Sequence, residues 1–166
     1  MAANVSFDIT STIDFQEVDN ALNQARKEVG QRYDFKGALA EIELSEAEKT
    51  LTLTTADEMK MDALWEILQT RLVRRGVPVK NFQEEKSEPA AGGAVRRVIK
   101  IQSGIPIEAA REIVKFIKDK KLKKVQAQIQ ADQVRVISPS KDELQTAMAA
   151  LREHDFGVSL QFGNYR

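Results

Sequence analysis

The sequence predicts an α+β fold with two similar halves, each a four-stranded antiparallel sheet with two helices on one face. Three observations lead to this prediction. The apolar pattern runs strand, helix, strand, strand, helix, strand from Val5 onward, and the same order starts again near Val95. A segment rich in Gly, Pro and Ala separates the two runs. The 166 residues suffice for two small domains, each of roughly 75 to 80 residues.

The first half starts with one strand and one helix. Apolar and polar residues alternate over Val5–Thr10, which predicts a strand with one buried face. Asp14 is an N-cap residue with Glu17 three positions later, so a helix is predicted to begin there and to end near residues 32–34. Its apolar residues recur every three or four positions and predict one buried stripe: Val18, Leu22, Ala25 and Val29.

A hairpin, a second helix and a short strand complete the first half. Apolar residues alternate with Glu and Thr on both sides of a polar turn at residues 45–49, which predicts two paired strands. Asp57 can cap the next helix, which has the broadest apolar stripe in the chain and which Gly76 ends. A short strand is predicted around Val79–Phe82.

The second half repeats this order after Ser87–Gly93, a segment with the composition of a linker. We predict a strand at Val95–Gln102, a helix with a proline in its first turn, and a hairpin that turns at residues 131–132. Ser140 caps the last helix, and the last strand is predicted to contain Val158, Leu160 and Phe162. The predicted domains are residues 1–88 and 94–166.

The composition excludes several classes of protein. The chain has no cysteine and a single histidine, His154, so disulfides and thiolate nucleophiles are excluded and we expect neither a bound metal nor a cofactor. Lys plus Arg equals Asp plus Glu at 25 each, so attraction to a polyanion must come from a local patch. No apolar run is long enough to span a membrane, and the chain begins without a signal-peptide pattern. We therefore expect a cytoplasmic protein with no membrane partner.

Catalysis is not predicted. No Walker A loop occurs, and Gly92-Gly93 lies in the linker and not between a strand and a helix N-terminus. The sequence also offers no set of nucleophile, base and oxyanion donors that would converge in one site. We expect a protein that binds a ligand and is not an enzyme.

Seven segments together resemble the YajQ family of bacterial proteins. They follow the family's order and span nearly the whole chain: Ser6-Phe-Asp-Ile9, Arg32-Tyr-Asp-Phe-Lys36, Gly104-Ile105, Leu122-Lys-Lys-Val-Gln-Ala-Gln-Ile-Gln130, Gln133-Val-Arg-Val136, Asp142-Glu-Leu-Gln145 and Gln161-Phe-Gly-Asn-Tyr-Arg166. One departure is Ala131, where family members often have Gly before Asp. Because Ala disfavours a positive φ, we expect this hairpin turn to differ locally.

The resemblance implies two ferredoxin-like βαββαβ domains whose first strands are exchanged between the sheets. In that arrangement Val5–Thr10 would complete the second sheet and Val95–Gln102 the first. The family is described as nucleotide-binding, with ATP, GTP or tRNA bound by some members and cyclic di-GMP sensed by others. The resemblance therefore implies a nucleotide ligand for this chain.

The polar sides of the predicted strands provide the first candidate binding residues. The second sheet would present Gln126, Gln128, Gln130 and Arg135 on the face opposite its helices. Glutamine amides donate and accept hydrogen bonds, and arginine pairs with phosphate or stacks on a base, so this face suits a nucleotide. The same residue types are equally typical of a solvated sheet face, and the sequence leaves both interpretations open.

Further candidates are basic or aromatic. Arg96, Arg97 and Lys100 lie on one predicted strand, where they could bind phosphate. Tyr165 is free of the apolar alternation and could stack on a base, as could Tyr33 and Phe35. A lysine cluster at the end of the third helix is more typical of solvated charges beside a helix C-terminus: Lys118, Lys120, Lys121, Lys123 and Lys124.

Two functions from different classes follow. The first is a nucleotide sensor that binds cyclic di-GMP, GTP or ATP and acts through a protein partner. The second is an RNA-binding adaptor that uses the sheet faces and basic patches on tRNA or another RNA. Neither central strand carries the aromatic residues with which an RNA recognition motif stacks bases, so sequence-specific RNA readout is not expected.

Overall fold

The structure is a computed structural model that describes residues 4–122 and 124–166. The chain divides into two compact units. The continuous unit is Ile13–Gln102, and the discontinuous unit contains residues 4–12 together with Ser103–Arg166. The strands and α-helices are, in chain order, β1 Val5–Thr10, α1 Phe15–Gln31, β2 Ala40–Ser45, β3 Thr50–Thr55, α2 Glu58–Arg74, β4 Phe82–Glu84, β5 Glu88–Pro89, β6 Val95–Ile101, α3 Ile107–Asp119, β7 Gln126–Gln130, β8 Gln133–Ser138, α4 Lys141–Glu153 and β9 Gln161–Gly163.

Each unit contains an antiparallel sheet in which the first strand comes from the other repeat. The discontinuous unit has the strand order β7-β8-β1-β9, and the continuous unit has β2-β3-β6-β4, with β5 paired to β6. β1 and β6 therefore occupy equivalent central positions in the two sheets, each between the third and fourth strands of a βαββαβ series. This confirms the two ferredoxin-like sheets with exchanged first strands that the resemblance implied.

Two hydrophobic cores lie between the sheets and their helices. In the discontinuous unit, Phe7 and Ile9 of β1 pack with α3, α4 and β8. In the continuous unit, Leu51 and Leu53 of β3 pack with α1 and α2. In both sheets the alternate strand residues point away from this core, so each unit has one helix-covered face and one opposite face.

The predicted helix caps are present. The Asp14 carboxylate accepts hydrogen bonds from the backbone N–H groups of Gln16 and Glu17. Asp57 accepts from the N–H of Lys60 and Ser140 from that of Glu143. These bonds satisfy N–H groups that the first turn of a helix leaves without intrahelical partners.

Three predicted elements differ from the structure. Val79–Asn81 is a 3₁₀ turn and the strand starts at Phe82, while the last strand is only Gln161–Gly163 and excludes Val158 and Leu160. The linker-like segment contains β5, which pairs with β6 inside the continuous unit. The predicted domains, residues 1–88 and 94–166 with their first strands exchanged between the sheets, stay a prediction. The compact units group each first strand with the sheet it joins.

Candidate functional site

A polar face lies on the side of the discontinuous unit's sheet that points away from α3 and α4. Strand register places Gln128 opposite Arg135, and Arg135 opposite Asp8. Most of the residues between them belong to the hydrophobic core or pack against it, whereas Ile129 is 38% exposed. We call this surface the glutamine face and define it by Gln126, Gln128, Gln130, Gln133, Arg135, Ser6, Asp8 and Thr10.

The glutamine face has an ion pair near its centre. Arg135 Nε lies 2.9 Å from Asp8 Oδ1, and Nη2 lies 3.5 Å from Asp8 Oδ2. Asn164 donates from Nδ2 to Asp8 Oδ2 at 2.6 Å. Asp8 is only 6% exposed, so these donors replace water around its carboxylate. Arg135 is held in place by a partner 127 residues away in the sequence.

This arrangement keeps both members of the ion pair charged. The hydrogen bond from Arg135 holds the pKa of Asp8 below its usual range and outweighs the burial that would raise it, and Asn164 lowers this pKa further. The bond to Asp8 likewise raises the pKa of Arg135. The guanidinium has five N–H donors, so its bonds to Asp8 leave it with the capacity to bind a further acceptor.

The three predicted glutamines are exposed on one strand, beside this ion pair. Gln126, Gln128 and Gln130 occupy alternate positions of β7, an edge strand of the sheet. The structure therefore brings them together with Arg135 on one surface, as the alternation predicted. An amide side chain can donate and accept at once, which suits the edge of a nucleobase.

Arg96 and Lys100 lie in the other unit. Both are on β6, where they share a face with Thr54 and Thr50 of β3. Arg96 Nη2 lies 3.5 Å from Glu88 Oε2, and Lys100 Nζ lies 3.1 Å from Glu85 Oε1. Because the first strands are exchanged, these two cations belong to a different sheet from the residues of the glutamine face.

Arg97 is on the helix-covered face of the same strand. It lies opposite Leu53 in the sheet register, and its side chain is 9% exposed. Its Nε donates to Ser87 Oγ at 3.1 Å, its Nη1 to Glu84 at 2.9 Å, and its Nη2 to Asp62 at 3.0 Å and to Glu58. Burial lowers the pKa of this guanidinium, but the bonds to Asp62 and Glu58, together with the charges of Glu84 and Glu58, raise it by more. We therefore remove Arg97 from the phosphate candidates, because carboxylates occupy its donors.

Tyr165 lies outside the glutamine face. It is 60% exposed, its ring centroid is 6.5 Å from that of Phe7, and its hydroxyl lies 3.8 Å from Met148 Sδ. Phe7 and Met148 belong to the hydrophobic core. The structure therefore places Tyr165 on the helix side of the sheet. Of the other proposed stacking residues, Tyr33 is 89% exposed and Phe35 is buried.

The lysine cluster is exposed to solvent at the four residues that the structure describes. Lys118, Lys120, Lys121 and Lys124 are exposed, and Lys120 Nζ lies 5.1 Å from the ring centroid of Phe116. Lys123 lies outside the described residues. Among the described residues, no group of three or more His, Asp or Glu side chains could hold a metal ion, and no helix is long and apolar enough to cross a membrane.

Asp8 and Asn164 are the site residues that sequence reasoning missed. The alternation of Phe7, Asp8 and Ile9 shows that Asp8 points away from the core, but it does not show which sheet the strand joins. Only the pairing of β1 with β8 brings Asp8 beside Arg135. Asn164 follows β9 with a φ of +54°, a conformation that asparagine tolerates better than most residues.

Comparison with known proteins gives the family of this chain. A family model described as "Nucleotide-binding protein YajQ-like" matches residues 5–166. The chain belongs to this family. The match confirms the resemblance that the seven segments indicated.

Family members from distant bacteria match over nearly their whole lengths. A protein of Carboxydothermus hydrogenoformans is 49% identical over 166 residues and covers 100% of both chains. One of Elusimicrobium minutum is 48% identical over 164 residues, or 99% of each chain, and one of Solibacter usitatus is 50% identical over 161 residues, or 97% of this chain and 96% of the relative. All three are named "Nucleotide-binding protein".

Proposed function

We propose that this protein is a non-enzymatic nucleotide sensor that binds cyclic di-GMP through the glutamine face and acts through a protein partner. The observation that carries the proposal is the ion pair of Arg135 and Asp8 on the same sheet face as three exposed glutamines. The names of the relatives support a nucleotide as the ligand.

The residue types on the face favour contacts with bases. Arginine can pair with O6 and N7 of guanine, and glutamine can form two hydrogen bonds to adenine. Bonds from Arg135 and Asn164 fix the position of Asp8, and Arg135 is fixed in return. Ordered side chains lose less conformational entropy when a ligand binds, so this part of the face is prepared for binding.

The charge of the face favours a ligand with few phosphates. Arg135 is the one cation among the residues that define the face, and Asp8 neutralises it. Arg166, opposite Ser6, adds one further positive charge that lowers the pKa of Asp8. Recognition of tRNA requires contacts to several phosphates, and GTP or ATP concentrates charge on three. Cyclic di-GMP has two guanine bases and only two phosphates, so it matches a face with many amides and little net charge.

Calorimetry on the purified, nucleic-acid-free protein tests the proposal. Cyclic di-GMP, GTP, ATP and tRNA are titrated at about 50 and 200 mM salt, because a complex that neutralises several phosphates weakens steeply over this range. We expect saturable binding of cyclic di-GMP with little change between the two salt concentrations. Binding of tRNA alone, with a steep salt dependence, would make the protein an RNA adaptor.

A matched pair of variants locates the site. Gln128→Ala removes an exposed amide from the glutamine face, whereas Gln83→Ala removes one from the corresponding face of the other sheet. We expect Gln128→Ala to weaken cyclic di-GMP binding about tenfold, the loss of one good hydrogen bond, and Gln83→Ala to leave it unchanged. Equal affinities for the two variants would contradict the assignment to the glutamine face.

A further inference from the structure

The segment after β9 contains a bulge that turns two adjacent side chains to opposite faces of the sheet. Gly163 pairs with Asp8, and Arg166 exchanges backbone hydrogen bonds of 3.0 and 3.2 Å with Ser6. Two residues, Asn164 and Tyr165, therefore lie opposite Phe7 alone, which is the arrangement of a β-bulge. The Asn164 side chain reaches Asp8 on the glutamine face, while Tyr165 contacts Phe7 and Met148 on the helix side.

Tyr165 forms one wall of a cavity between β1, α4 and this segment. The cavity has a volume of about 290 Å³ and is mainly apolar, with Phe7, Leu144 and Met148 among its lining residues. Two cations, Lys141 and Arg166, also line it. The volume lies near the lower end of the range for small-molecule sites, roughly 300 to 1,000 Å³.

Lys141 is the cation at one end of the cavity. Arg166 pairs with Ser6 near the start of β1, and its charge lowers the pKa of Asp8, so this charge acts on the glutamine face. Lys141 begins α4 shortly after Ser138, which pairs with Val5 at that same end of β1. The first turn of α4 also carries Asp142 and Glu143, but neither is among the cavity's lining residues. The cavity therefore has an aromatic, apolar part and a cationic end.

We propose that this cavity is a binding site for a small planar ring that carries one anionic group, a carboxylate or a phosphate. The ring packs against Tyr165 and Met148, since an aromatic face and a thioether both contact rings favourably. The anion lies at the end formed by Lys141, where the N-terminus of α4 adds a favourable dipole. This site lies on the helix side of the sheet and shares only Ser6 with the glutamine face. It does not depend on the proposed nucleotide sensing.

Methionine methyl NMR on the full chain tests the proposal directly. Met148 lines the cavity, whereas Met61 is fully buried in the core of the other unit and provides an internal control. The probes are benzoate and guanosine monophosphate as ring-plus-anion ligands, with phenol and inorganic phosphate as the separate parts. We expect benzoate, guanosine monophosphate or both to shift the Met148 signal saturably, while Met61 does not move.

The separate parts and two variants complete the test. Phenol and phosphate should each bind at least about tenfold more weakly than the better ring-plus-anion probe, because each lacks one set of contacts. Tyr165→Ala should weaken that probe about tenfold, whereas Tyr33→Ala, at the other tyrosine of the chain, should not. Lys141→Gln should weaken the anionic probe but not phenol.

Several results would overturn the proposal. They are the absence of a saturable Met148 shift with both ring-plus-anion probes, an equal effect of inorganic phosphate alone, or equal losses in Tyr165→Ala and Tyr33→Ala. Saturation by guanosine monophosphate only would identify a nucleotide as the source of the ring, and saturation by benzoate only an aromatic acid. Gln128→Ala should leave these titrations unchanged, so failure of the nucleotide proposal can be distinguished from failure of this one.

Discussion

Replacing Asp8 by asparagine isolates the ion pair that orders the glutamine face. The carboxylate accepts a bond of 2.9 Å from Arg135 Nε and one of 2.6 Å from Asn164 Nδ2. Asparagine offers one acceptor oxygen, so at least one of these donors then meets an NH₂ group. The loss of one hydrogen bond to a charged group costs about 1.5–3 kcal/mol. Because Arg135 keeps a quarter of its side chain exposed, we expect a value near the lower end.

Urea unfolding followed by circular dichroism at neutral pH measures this loss. In thermal unfolding followed by the same signal, the midpoint should fall by about 2–4 °C for each kcal/mol of lost stability, as expected for a chain of this length. Asp14→Asn is the matched control, since asparagine caps a helix about as well as aspartate and the same change of group should cost little there.

The pH dependence of the Asp8→Asn effect gives a second test. The folded pKa of Asp8 is lowered, so the ionised carboxylate stabilises the fold above its unfolded pKa of about 3.9. This stabilisation is lost as the pH falls through the folded pKa. The stability difference between the parent protein and Asp8→Asn should therefore be largest above about pH 5 and shrink in more acidic solution. A difference that is absent at pH 7, or that stays constant on acidification, would refute the reasoning.

Three further predictions concern the turns and Arg97. Gly104→Ala should lower the free energy of unfolding by about 2–4 kcal/mol, because Gly104 has a φ of +92° and an added Cβ would lie 2.6 Å from Asp132 Oδ2. Adding Asp132→Gly to this variant should restore part of the loss in urea unfolding. If stability does not recover, the clash with Asp132 is not the cause. Ala131→Gly should raise stability by about 0.5–1 kcal/mol, since Ala131 adopts a φ of +54°; a lower urea midpoint would contradict this. Arg97→Met should lower the free energy of unfolding by about 1–3 kcal/mol, because it leaves the carboxylate partners of Arg97 without a cation. Calorimetry should show an unchanged nucleotide affinity. A tenfold loss of affinity would return Arg97 to the candidate phosphate-binding residues.

The hairpin turn at Ala131 shows a limit of reasoning from residue preference. We expected the turn to differ where Ala replaces the more usual Gly, but Ala131 takes the left-handed conformation that glycine favours. The pairing of Gln130 with Gln133 across the turn and the bond from Ile105 N to Asp132 O hold the chain there. Tertiary contacts thus outweigh a local preference of about 1–2 kcal/mol.

Arg97 shows a signal that was present in the sequence but not used. Arg97 follows Val95 by two residues and precedes Ile99 by two, so the two-residue period of a strand already places it on the same face as these apolar residues. Its charge suggested an exposed phosphate ligand. In the structure, Glu58 and Asp62 from α2 and Glu84 from β4 neutralise it on the helix-covered side.

The sequence by itself determined the order of the elements, the caps of three helices and the division of each strand into an apolar and a polar face. These features depend on residues close together in the chain, through hydrogen bonds across one helical turn and the two-residue period of a strand. The placement of the three glutamines and Arg135 on one surface follows from that period.

Only the tertiary structure decided which strands share a sheet and which side chains meet across them. β1 and β6 have the same periodicity, so nothing local distinguishes exchanged strands from unexchanged ones. The difference lies in long-range pairing: β1 pairs with β8, more than a hundred positions away, and β6 pairs with β3 of the other repeat. The pairing of β1 brings Asp8 beside Arg135 and places the bulge at Asn164 and Tyr165. The pairing of β6 places Arg96 and Lys100 in the other sheet. The surfaces proposed as binding sites are products of long-range contacts, which a sequence period cannot specify.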